Sequence, residues 1–515
     1  MGVDHAGVES RSAAREREWQ LEASALAPIA RWLLSPELEV AVVARPPEVH
    51  RDAYFDTPSG ALAQALSSLR IRSSSGDHEL TMKTTDRPPG DDGLKDRLET
   101  TESLASAVLP AQGDSQIMCR ALELAGSVSP NLTFELETMR QTFDVSIDGQ
   151  RVAELSLDDV RDRARHEFCF LRVEVETAGE LDDKRLLRFI SDMRARFGLA
   201  SATASKLETA RQLSLEAIAR VLPARDAAID RRGSVGEAAR IALGRNLAAL
   251  VELAPGVRAG DVTAVHQARV SIRRARAAIA LFRPAFAVDA RTVSRDLGDV
   301  ARTIGPVRDL DAQLERIEGW ASEYPGELRE ARRALLAHRD RLHTRARGAF
   351  DAPSSLGAIA AAIALLDSPA ADSRFASKEI VRVAPELLRR RLREARRAAR
   401  SISDRSGDAK LHALRITAKR LRYALEFLEP LFPAGSPAVA RKVAHLQDVL
   451  GAHQDAVVAR GLLSSVADSE PAAAFELGIC AERYARIGGA RRSQTRRLIA
   501  RSLHGAYAAL LRETR

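Results

Sequence analysis

The sequence of 515 residues has few cysteines and no long apolar segment. Its three cysteines, Cys119, Cys169 and Cys480, are widely separated, which excludes a disulfide scaffold or a cysteine metal site and suits a reducing compartment. The longest wholly apolar run, 356–366, is too short to cross a bilayer, and the first 17 residues lack the apolar core of a signal peptide. We therefore expect a cytoplasmic protein with no membrane partner.

Aromatic residues are scarce, and charge is unevenly distributed. Aromatics make up 4% of the chain, which leaves few platforms on which the bases of single-stranded nucleic acid could stack. Residues 1–210 contain 25 Lys and Arg against 36 Asp and Glu, whereas residues 211–515 contain 53 against 34. The basic half is expected to attract a polyanion. Duplex nucleic acid could bind through its phosphates alone, but no recognition motif is present, so a polyanion without bases is favoured.

The basic half contains an internal repeat. The run HQARVSIRRAR that begins at His266 returns 146 residues later as HALRITAKRLR, beginning at His412. The register continues without a gap, so that Gly305 matches Gly451. Residues from about 233 onward show a 3.6-residue apolar period broken by Pro and Gly, which predicts an all-helical bundle with two homologous halves.

Each copy of the repeat predicts an amphipathic helix with one basic face. An isolated basic face is usually only solvated, but two equivalent ones could hold a linear polyanion between them. The candidate polyanion-binding residues are His266, Arg269, Arg273, Arg274 and Arg276 in the first copy, and His412, Arg415, Lys419, Arg420 and Arg422 in the second.

The acidic half reads as a strand-rich region with helices near 28–34, 103–125 and 182–197. Charged residues recur at every second position, which places them on one face of each strand. A sheet whose charged face meets solvent would show this pattern. An acidic set and a basic set on six strands would also suit a closed barrel with a charged lumen, in which carboxylates bind a divalent cation and Arg or Lys bind phosphate. We predict domains at 14–210 and 233–515, joined by a linker at 211–232.

The first half resembles the CYTH domain of the triphosphate tunnel metalloenzyme superfamily. Its opening signature, E-x-E-x-K, stands here as Glu16-x-Glu18-x-Gln20, and the segment YFDTP at 54–58 is followed by LRIR at 69–72. Met82-Lys83, the VEVE strand at 173–176 and Ser205-Lys206 complete the ordered set. The resemblance implies an eight-stranded antiparallel tunnel barrel with triphosphatase activity that depends on Mg²⁺ or Mn²⁺.

The resemblance also implies roles for individual residues. The implied metal ligands are Glu16, Glu18, Glu154, Asp158, Glu174 and Glu176. The implied triphosphate-binding residues are Arg70, Arg72, Lys83, Arg97, Arg140 and Lys206, and the implied catalytic residues are Glu16, Glu18, Lys83 and Arg140.

The second half resembles the CHAD domain, a repeated helical module. The patterns VHxxRVxxRRxR at 265–276 and IGxxRDLD at 304–311 recur as LHxLRIxxKRLRYxLE at 411–426 and LQDxLGxxxD at 446–455. This resemblance implies binding of inorganic polyphosphate through the two basic helices, and association with polyphosphate granules. The oligomeric state cannot be read from the sequence.

Three departures from the first family's pattern leave two functions open. Gln20 replaces the signature lysine, Arg172 stands where an acid is common, and the residues after Lys206 lack the usual arginine and glycine. One hypothesis is a metal-dependent hydrolase of inorganic triphosphate or a related compound, for which Gln20→Lys should raise activity or affinity. The rival is a polyphosphate-binding protein whose barrel no longer turns substrate over. A nucleotidyl cyclase would need base recognition, which no motif indicates.

Overall fold

The protein is described from a computed structural model covering residues 10–85, 94–111, 113–163, 168–177, 183–202, 204–287, 289–323, 328–403, 406–432 and 436–513. The chain divides into two compact units. The first comprises Met1–Ala217 with Arg347–Leu356, and the second comprises Ile218–Ala346 with Gly357–Arg515. The linker predicted at 211–232 stays a prediction, and a helix occupies Lys206–Ala219.

The first unit is built from ten strands and five helices among the described residues. The strands are β1 (Ser10–Ala23), β2 (Ala41–Ala44), β3 (Glu48–Asp56), β4 (Ser67–Ser74), β5 (Asp77–Thr84), β6 (Leu94–Leu104), β7 (Asn131–Ile147), β8 (Gln150–Asp162), β9 (Cys169–Thr177) and β10 (Ala200–Ser201). The helices are α1 (Ala27–Leu33), α2 (Ala61–Gln64), α3 (Gln116–Leu124), α4 (Lys184–Phe197) and α5 (Lys206–Ala219).

Eight of the strands form a closed antiparallel barrel. They pair in the order β1, β6, β5, β4, β3, β7, β8, β9, and β9 pairs back with β1 to close the ring. The strands β2 and β10 attach outside it, to β7 and β1. The predicted eight-stranded barrel is thus confirmed. A barrel of this size has an interior just wide enough for side chains and a small ligand.

Strand alternation separates the apolar and charged residues of the barrel. In β1, Trp19 and Leu21 point outward into a core that they share with Val173, Val175 and helix α4, while the alternate positions point inward. The period of two thus places the acidic and basic rows of the sequence inside the ring.

The second unit is helical, and its helices continue through Arg347–Leu356, the segment that belongs to the first unit. Its elements run from α6 to α16: α6 (Val235–Ala259), α7 (Val262–Leu281), α8 (Ala290–Thr303), α9 (Gly305–Glu323), α10 (Arg329–Phe350), α11 (Pro353–Ala364), α12 (Ser373–Ala376), α13 (Ile380–Arg400), α14 (Asp408–Leu428), α15 (Ser436–Ser469) and α16 (Ala474–Glu513). Within the described ranges, none of these helices combines the length and apolarity that a membrane span requires.

The helices follow the repeat predicted from the sequence. A shift of 146 residues carries α7 onto α14, and the 3-10 turn Arg283–Ala285 onto Glu429–Leu431. The same shift carries α8 and α9 together onto the single helix α15. Pro306 accounts for the break between α8 and α9, since proline cannot donate the helical hydrogen bond, whereas its counterpart Ala452 lets α15 continue.

Candidate functional site

The lumen of the barrel is a polar cavity of about 610 Å³. The described strands line it with both of the charged sets predicted from the sequence. The predicted residues on its wall are Glu16, Glu18, Arg70, Arg72, Lys83, Arg97, Arg140, Glu154, Glu174, Glu176 and Lys206. Of the predicted barrel residues, Asp158 is the one that does not line the cavity.

At one part of the wall, Glu16 and Glu18 contact cations from neighbouring strands. The Lys83 ammonium donates to both carboxylate oxygens of Glu16, at 2.5 and 2.6 Å. Arg97, whose Cα lies opposite that of Glu16, forms an ion pair with Glu18. Burial would raise the pKa of Glu16, but the positive charges of Lys83 and Arg97 outweigh it and lower the pKa.

A second cluster joins two cations to two carboxylates. Arg140 donates to both oxygens of Asp158, at 2.8 and 2.7 Å, and to Glu174 at 2.6 Å. The Lys206 ammonium lies 2.5 Å from Asp158 and 2.8 Å from Glu174. Burial opposes ionisation of Glu174, yet Lys206 and Arg140 hold its pKa well below the usual range. Asp158, fully buried, thus positions two cations that face the lumen.

Sequence reasoning missed Asp52, which anchors the third group of cations. Arg72 binds Asp52 in a two-pronged contact of 2.7 and 2.8 Å, and Arg70 lies 3.6 Å from the same carboxylate. Despite complete burial, these two charges hold the pKa of Asp52 far below its ordinary value. The sequence pattern that could have revealed Asp52 is its alternation with Tyr54 and Asp56 along β3.

The YFDTP segment has a mainly structural role. The Asp56 carboxylate accepts hydrogen bonds from the backbone N–H groups of Thr57, Leu62 and Ala63, at 2.7, 3.0 and 3.2 Å. It therefore fixes the turn from β3 into α2, in the way that an N-cap residue does. Tyr54, two positions earlier, lines the lumen.

The acidic side of the lumen is a row of carboxylates on adjacent strands. Glu176 of β9 lies opposite Glu18 of β1 and opposite Glu154 of β8. Desolvation raises the pKa of Glu176 to about 7, and the charges of Glu16, Glu99 and Glu154 act in the same direction. Like charges in register repel, so a cation placed among them would relieve a real cost.

This row provides the test of whether the implied metal fits. Carboxylate oxygens are the donors that Mg²⁺ and Mn²⁺ prefer, and the repulsion around Glu176 favours a positive ion. As the side chains are placed, no three acidic, His or Cys groups in the described ranges lie close enough to bind one ion. Glu16 and Glu18 instead contact Lys83 and Arg97. The donor chemistry therefore fits a hard divalent cation, and these two ion pairs would have to open.

The position of the missing signature lysine has a cation after all. The Gln20 amide nitrogen donates to Glu18 at 2.8 Å and to Glu174 at 3.0 Å. Its amide oxygen accepts a hydrogen bond of 2.6 Å from the ammonium group of Lys95 on β6. Burial and the charge of Arg172 lower the pKa of Lys95 to about 8. Lys95 therefore brings an ammonium group next to Gln20, and it is a residue that the sequence did not reveal.

Arg172, the second departure, is buried in the wall. Its side chain is 1% exposed, donates to the Thr209 hydroxyl at 2.8 Å and lies over the Phe170 ring at 5.4 Å. Desolvation lowers the pKa of this guanidinium. Among the described residues its Nε and Nη1 atoms have no hydrogen-bond partner.

In the helical unit, the two basic helices α7 and α14 pack against each other and their stripes converge. Arg273 of α7 lies close to Arg415, Lys419 and Arg422 of α14: burial lowers the pKa of Arg273, and the charges of Arg415 and Arg422 act in the same direction. Burial lowers the pKa of Lys419 to about 7, with Arg415 and Arg273 as the next causes. We call these four residues the cation centre. Such a concentration of positive charge favours an anionic ligand.

In each copy of the repeat, the motif at 304–311 or 446–455 contacts the histidine and the first arginine of the basic helix. Arg269 donates to Asp309 and to the Gly305 carbonyl, both at 2.7 Å. In the second copy, Arg415 lies 3.7 Å from Asp455, the residue equivalent to Asp309. The histidines are placed alike: His266 Nδ1 accepts from Arg308 at 2.8 Å, and His412 Nδ1 lies 3.0 Å from the side chain of Gln454.

The remaining predicted cations lie outside the cation centre. Arg274 pairs with Glu426 at 2.8 Å, and the same carboxylate lies 3.1 Å from Arg422. Arg276 and Arg420 are exposed and repel each other. The structure thus brings one part of the two stripes together and leaves their ends at the surface.

Comparison with known proteins assigns both halves. The CYTH domain family matches residues 34–206, and the CHAD domain family matches residues 240–464. The chain resembles the crystal structure of a CHAD domain from the plant Ricinus communis, at 24% identity and a TM-score of 0.46, over 55% of this chain and 97% of that one. It also resembles PptA from Streptomyces chartreusis, at 22% identity and a TM-score of 0.39, over 52% of this chain and 99% of the other.

A further solved structure matches a smaller part of the chain. It is an adenylyl cyclase-type protein from Hippeastrum, described as having a dominant triphosphatase activity, with 21% identity and a TM-score of 0.29 over 38% of this chain and 95% of that one. A comparison with curated protein sequences found no match.

Proposed function

Because the chain carries a CYTH domain at residues 34–206 followed by a CHAD domain at residues 240–464, we propose that it is a metal-dependent triphosphatase with a polyphosphate-binding helical domain. Its substrate is inorganic triphosphate or a related compound. The observation that carries the proposal is the closed lumen, whose wall combines cations from several strands with a row of carboxylates.

The cations of the lumen are suited to a phosphate chain. Five elements, β4, β5, β6, β7 and α5, contribute the cations that line it: Arg70, Arg72, Lys83, Arg97, Arg140 and Lys206. Guanidinium groups bind phosphate oxygens in the same two-pronged geometry that Arg72 and Arg140 use here on carboxylates. An entering phosphate could therefore take over part of these contacts, and the clamp would neutralise charge that develops during transfer.

The metal would be held by the acidic row. Glu18, Glu154 and Glu176 would provide the main donors, with Glu16 and Glu174 beside them. A bound Mg²⁺ or Mn²⁺ polarises phosphoryl oxygens. In the reaction, a water oxygen forms a new bond to the terminal phosphorus, the bridging P–O bond breaks, and diphosphate and phosphate leave. In this proposal, Lys83 and Arg140 would stabilise the negative charge that develops on the leaving group.

The helical domain supplies a second anion site. The cation centre of Arg273, Arg415, Lys419 and Arg422 draws on both copies of the repeat. A linear polyanion lying across α7 and α14 would relieve the mutual repulsion of these groups and release its own counterions. Binding of this kind would also carry the protein to polyphosphate granules.

The proposal is tested by phosphate release from tripolyphosphate, ATP and long-chain polyphosphate, each with Mg²⁺ or Mn²⁺. We expect metal-dependent hydrolysis of tripolyphosphate that Arg70→Gln lowers, while the matched change Lys184→Gln, on the exposed first turn of α4, leaves it unchanged. Binding of tripolyphosphate without any release of phosphate would favour the rival function, a barrel that binds but no longer turns over. Hydrolysis that persists fully in EDTA would contradict the metal requirement.

A further inference from the structure

Gln20 and Lys95 together reproduce the features of one lysine. A lysine at position 20 would donate hydrogen bonds to the carboxylates beside it and carry a positive charge. Here the Gln20 amide nitrogen makes the donations, to Glu18 at 2.8 Å and Glu174 at 3.0 Å. The charge comes from Lys95, whose ammonium lies 2.6 Å from the amide oxygen of Gln20.

Lys95 reaches this place because of the strand register. It lies directly opposite Glu18 in the pairing of β1 with β6, just as Arg97 lies opposite Glu16. Side chains of directly opposed residues lie on the same face of a sheet, so Lys95 shares the inward face with Glu18. The ammonium group of Lys95 reaches Gln20, which lines the lumen. Lys95 itself lines a neighbouring cavity that shares Lys83, Arg97 and Ser205 with the lumen.

The partner of Lys95 distinguishes it from the other cations. Lys83, Arg72, Arg97, Arg140 and Lys206 each form an ion pair with a carboxylate. Within the described residues, the acceptor for Lys95 is a neutral amide oxygen. A neutral acceptor binds an ammonium group less strongly than a charged one does, so Lys95 can be transferred to an anion at lower cost than its neighbours.

We propose that Lys95 is a phosphate-binding residue that takes over the role of the absent lysine at position 20. The assignment rests on the proposed function for its ligand class, a triphosphate chain. On binding, the ammonium of Lys95 leaves the Gln20 oxygen for a phosphate oxygen, while the Gln20 amide keeps Glu18 and Glu174 in place. It follows that Gln20→Lys alone gains little, because the new ammonium would lie against one that is already present.

A charge-relocation experiment tests this assignment. Tripolyphosphate binding with Mn²⁺ is measured by calorimetry for the full chain, for Lys95→Gln, for Gln20→Lys and for the double variant Gln20→Lys/Lys95→Gln. Lys184→Gln serves as a control with the same loss of charge outside the barrel. We expect Lys95→Gln to weaken binding about tenfold or more, which is the effect of one charge-assisted contact. The double variant should recover to within about threefold of the wild type.

The outcomes separate this inference from the hydrolase proposal, because binding and turnover are measured independently. If Lys95→Gln binds as tightly as the wild type, or if the double variant is as weak as Lys95→Gln, Lys95 is not the replacement cation. A wild type that binds without hydrolysis overturns the proposed activity and leaves the test of Lys95 decisive. A wild type that does not bind tripolyphosphate overturns both. Circular dichroism of each variant shows whether a loss of binding reflects a loss of fold.

Discussion

Replacing Lys419 by Gln should make the protein more stable and at the same time weaken its hold on polyphosphate. Lys419 lies on α14 beside Arg273, Arg415 and Arg422, in the cation centre. Burial and the neighbouring arginines lower its pKa from 10.5 to about 7. Glutamine removes the charge, keeps a similar length and forms helices well, so the substitution perturbs little else.

The sign and size of the stability change follow from proton linkage. The pKa of Lys419 is lower in the folded chain than in the unfolded chain, so the folded state binds fewer protons between pH 7 and 10.5. Stability therefore rises with pH across this window. Each pH unit is worth about 1.4 kcal/mol, which sets an upper limit on the order of 5 kcal/mol below pH 7. Because the side chain is partly exposed, solvent screens part of this cost, and we expect Lys419→Gln to gain about 1–2 kcal/mol at pH 7.

A bound polyanion should raise the pKa of Lys419, which is the opposite of the effect of burial. Phosphate charges close to Lys419 favour its protonated form, so binding near pH 8 should be accompanied by uptake of a proton. Loss of this ammonium removes one charge-assisted contact, which amounts to about a tenfold fall in affinity. The wild type should accordingly bind polyphosphate more tightly at pH 6 than at pH 8.

Denaturant unfolding at pH 7 and pH 10, together with calorimetry in buffers of different ionisation enthalpy, measures both effects. Lys410→Gln, an exposed position on the same helix, is the matched control and should change neither stability nor affinity. The reasoning is refuted if Lys419→Gln is less stable than the wild type at pH 7. Polyphosphate binding with no proton uptake at pH 8 would refute it equally.

Three further predictions concern the barrel and the basic helices. Glu176→Gln should weaken Mn²⁺-dependent tripolyphosphate binding about tenfold at pH 8. The loss should be smaller at pH 6, because the carboxyl of the wild type is already protonated there. An equal loss of affinity at both pH values in calorimetry would contradict the assigned pKa. Asp56→Asn should lower the free energy of unfolding by about 1–2 kcal/mol, because three backbone donors lose a charged acceptor, and a denaturation midpoint equal to that of the wild type would show that the cap is dispensable. Loss of the stripe cations from either copy should weaken polyphosphate binding far more than threefold, since one site draws on both helices. Binding should also become less sensitive to salt. If a folded variant binds polyphosphate with wild-type affinity in a titration, the stripes are only solvated surfaces. The two triple Gln variants replace Arg269, Arg273 and Arg276, or Arg415, Lys419 and Arg422.

The elements that sequence predicted well depend on short-range regularities. The 146-residue repeat fixed the correspondence of α7 with α14, because both copies keep the same apolar period. In β1, inward Glu16 and Glu18 alternate with outward Trp19 and Leu21, and a period of two is sufficient to assign the two faces.

The residues that were missed depend on long-range pairing. In β6 both faces carry charge: Arg97 lines the lumen and Lys95 lies on the same face of the strand, while Asp96 pairs with Arg15 at 2.7 Å. Alternation alone therefore cannot show which row enters the lumen. The acceptor of Lys95 is 75 residues away in the chain, and only the register of β1 with β6 brings it within reach.

The helical stripes show a similar limit. The helical wheel groups Arg276 with Arg269 and Arg273, yet Arg276 is exposed and lies away from the cation centre. A wheel describes one helix. It cannot show how much of the basic face of α7 is covered by α14, and this coverage decides which cations are buried together.

The closure of the barrel by its first and last strands also governs how the domain must assemble. β1 obtains its partner β9 only after some 150 further residues have been synthesised, and such distant pairing is slow because loop entropy is lost before contacts form. Until then both strands expose open edges, which are the parts of a sheet most prone to pair with other chains. The carboxylates expected to hold a metal, Glu18 and Glu176, face each other across this seam. A ligand bound there would stabilise the pairing of β1 with β9 that closes the barrel. This stabilisation would be measured as slower hydrogen exchange along β1 and β9.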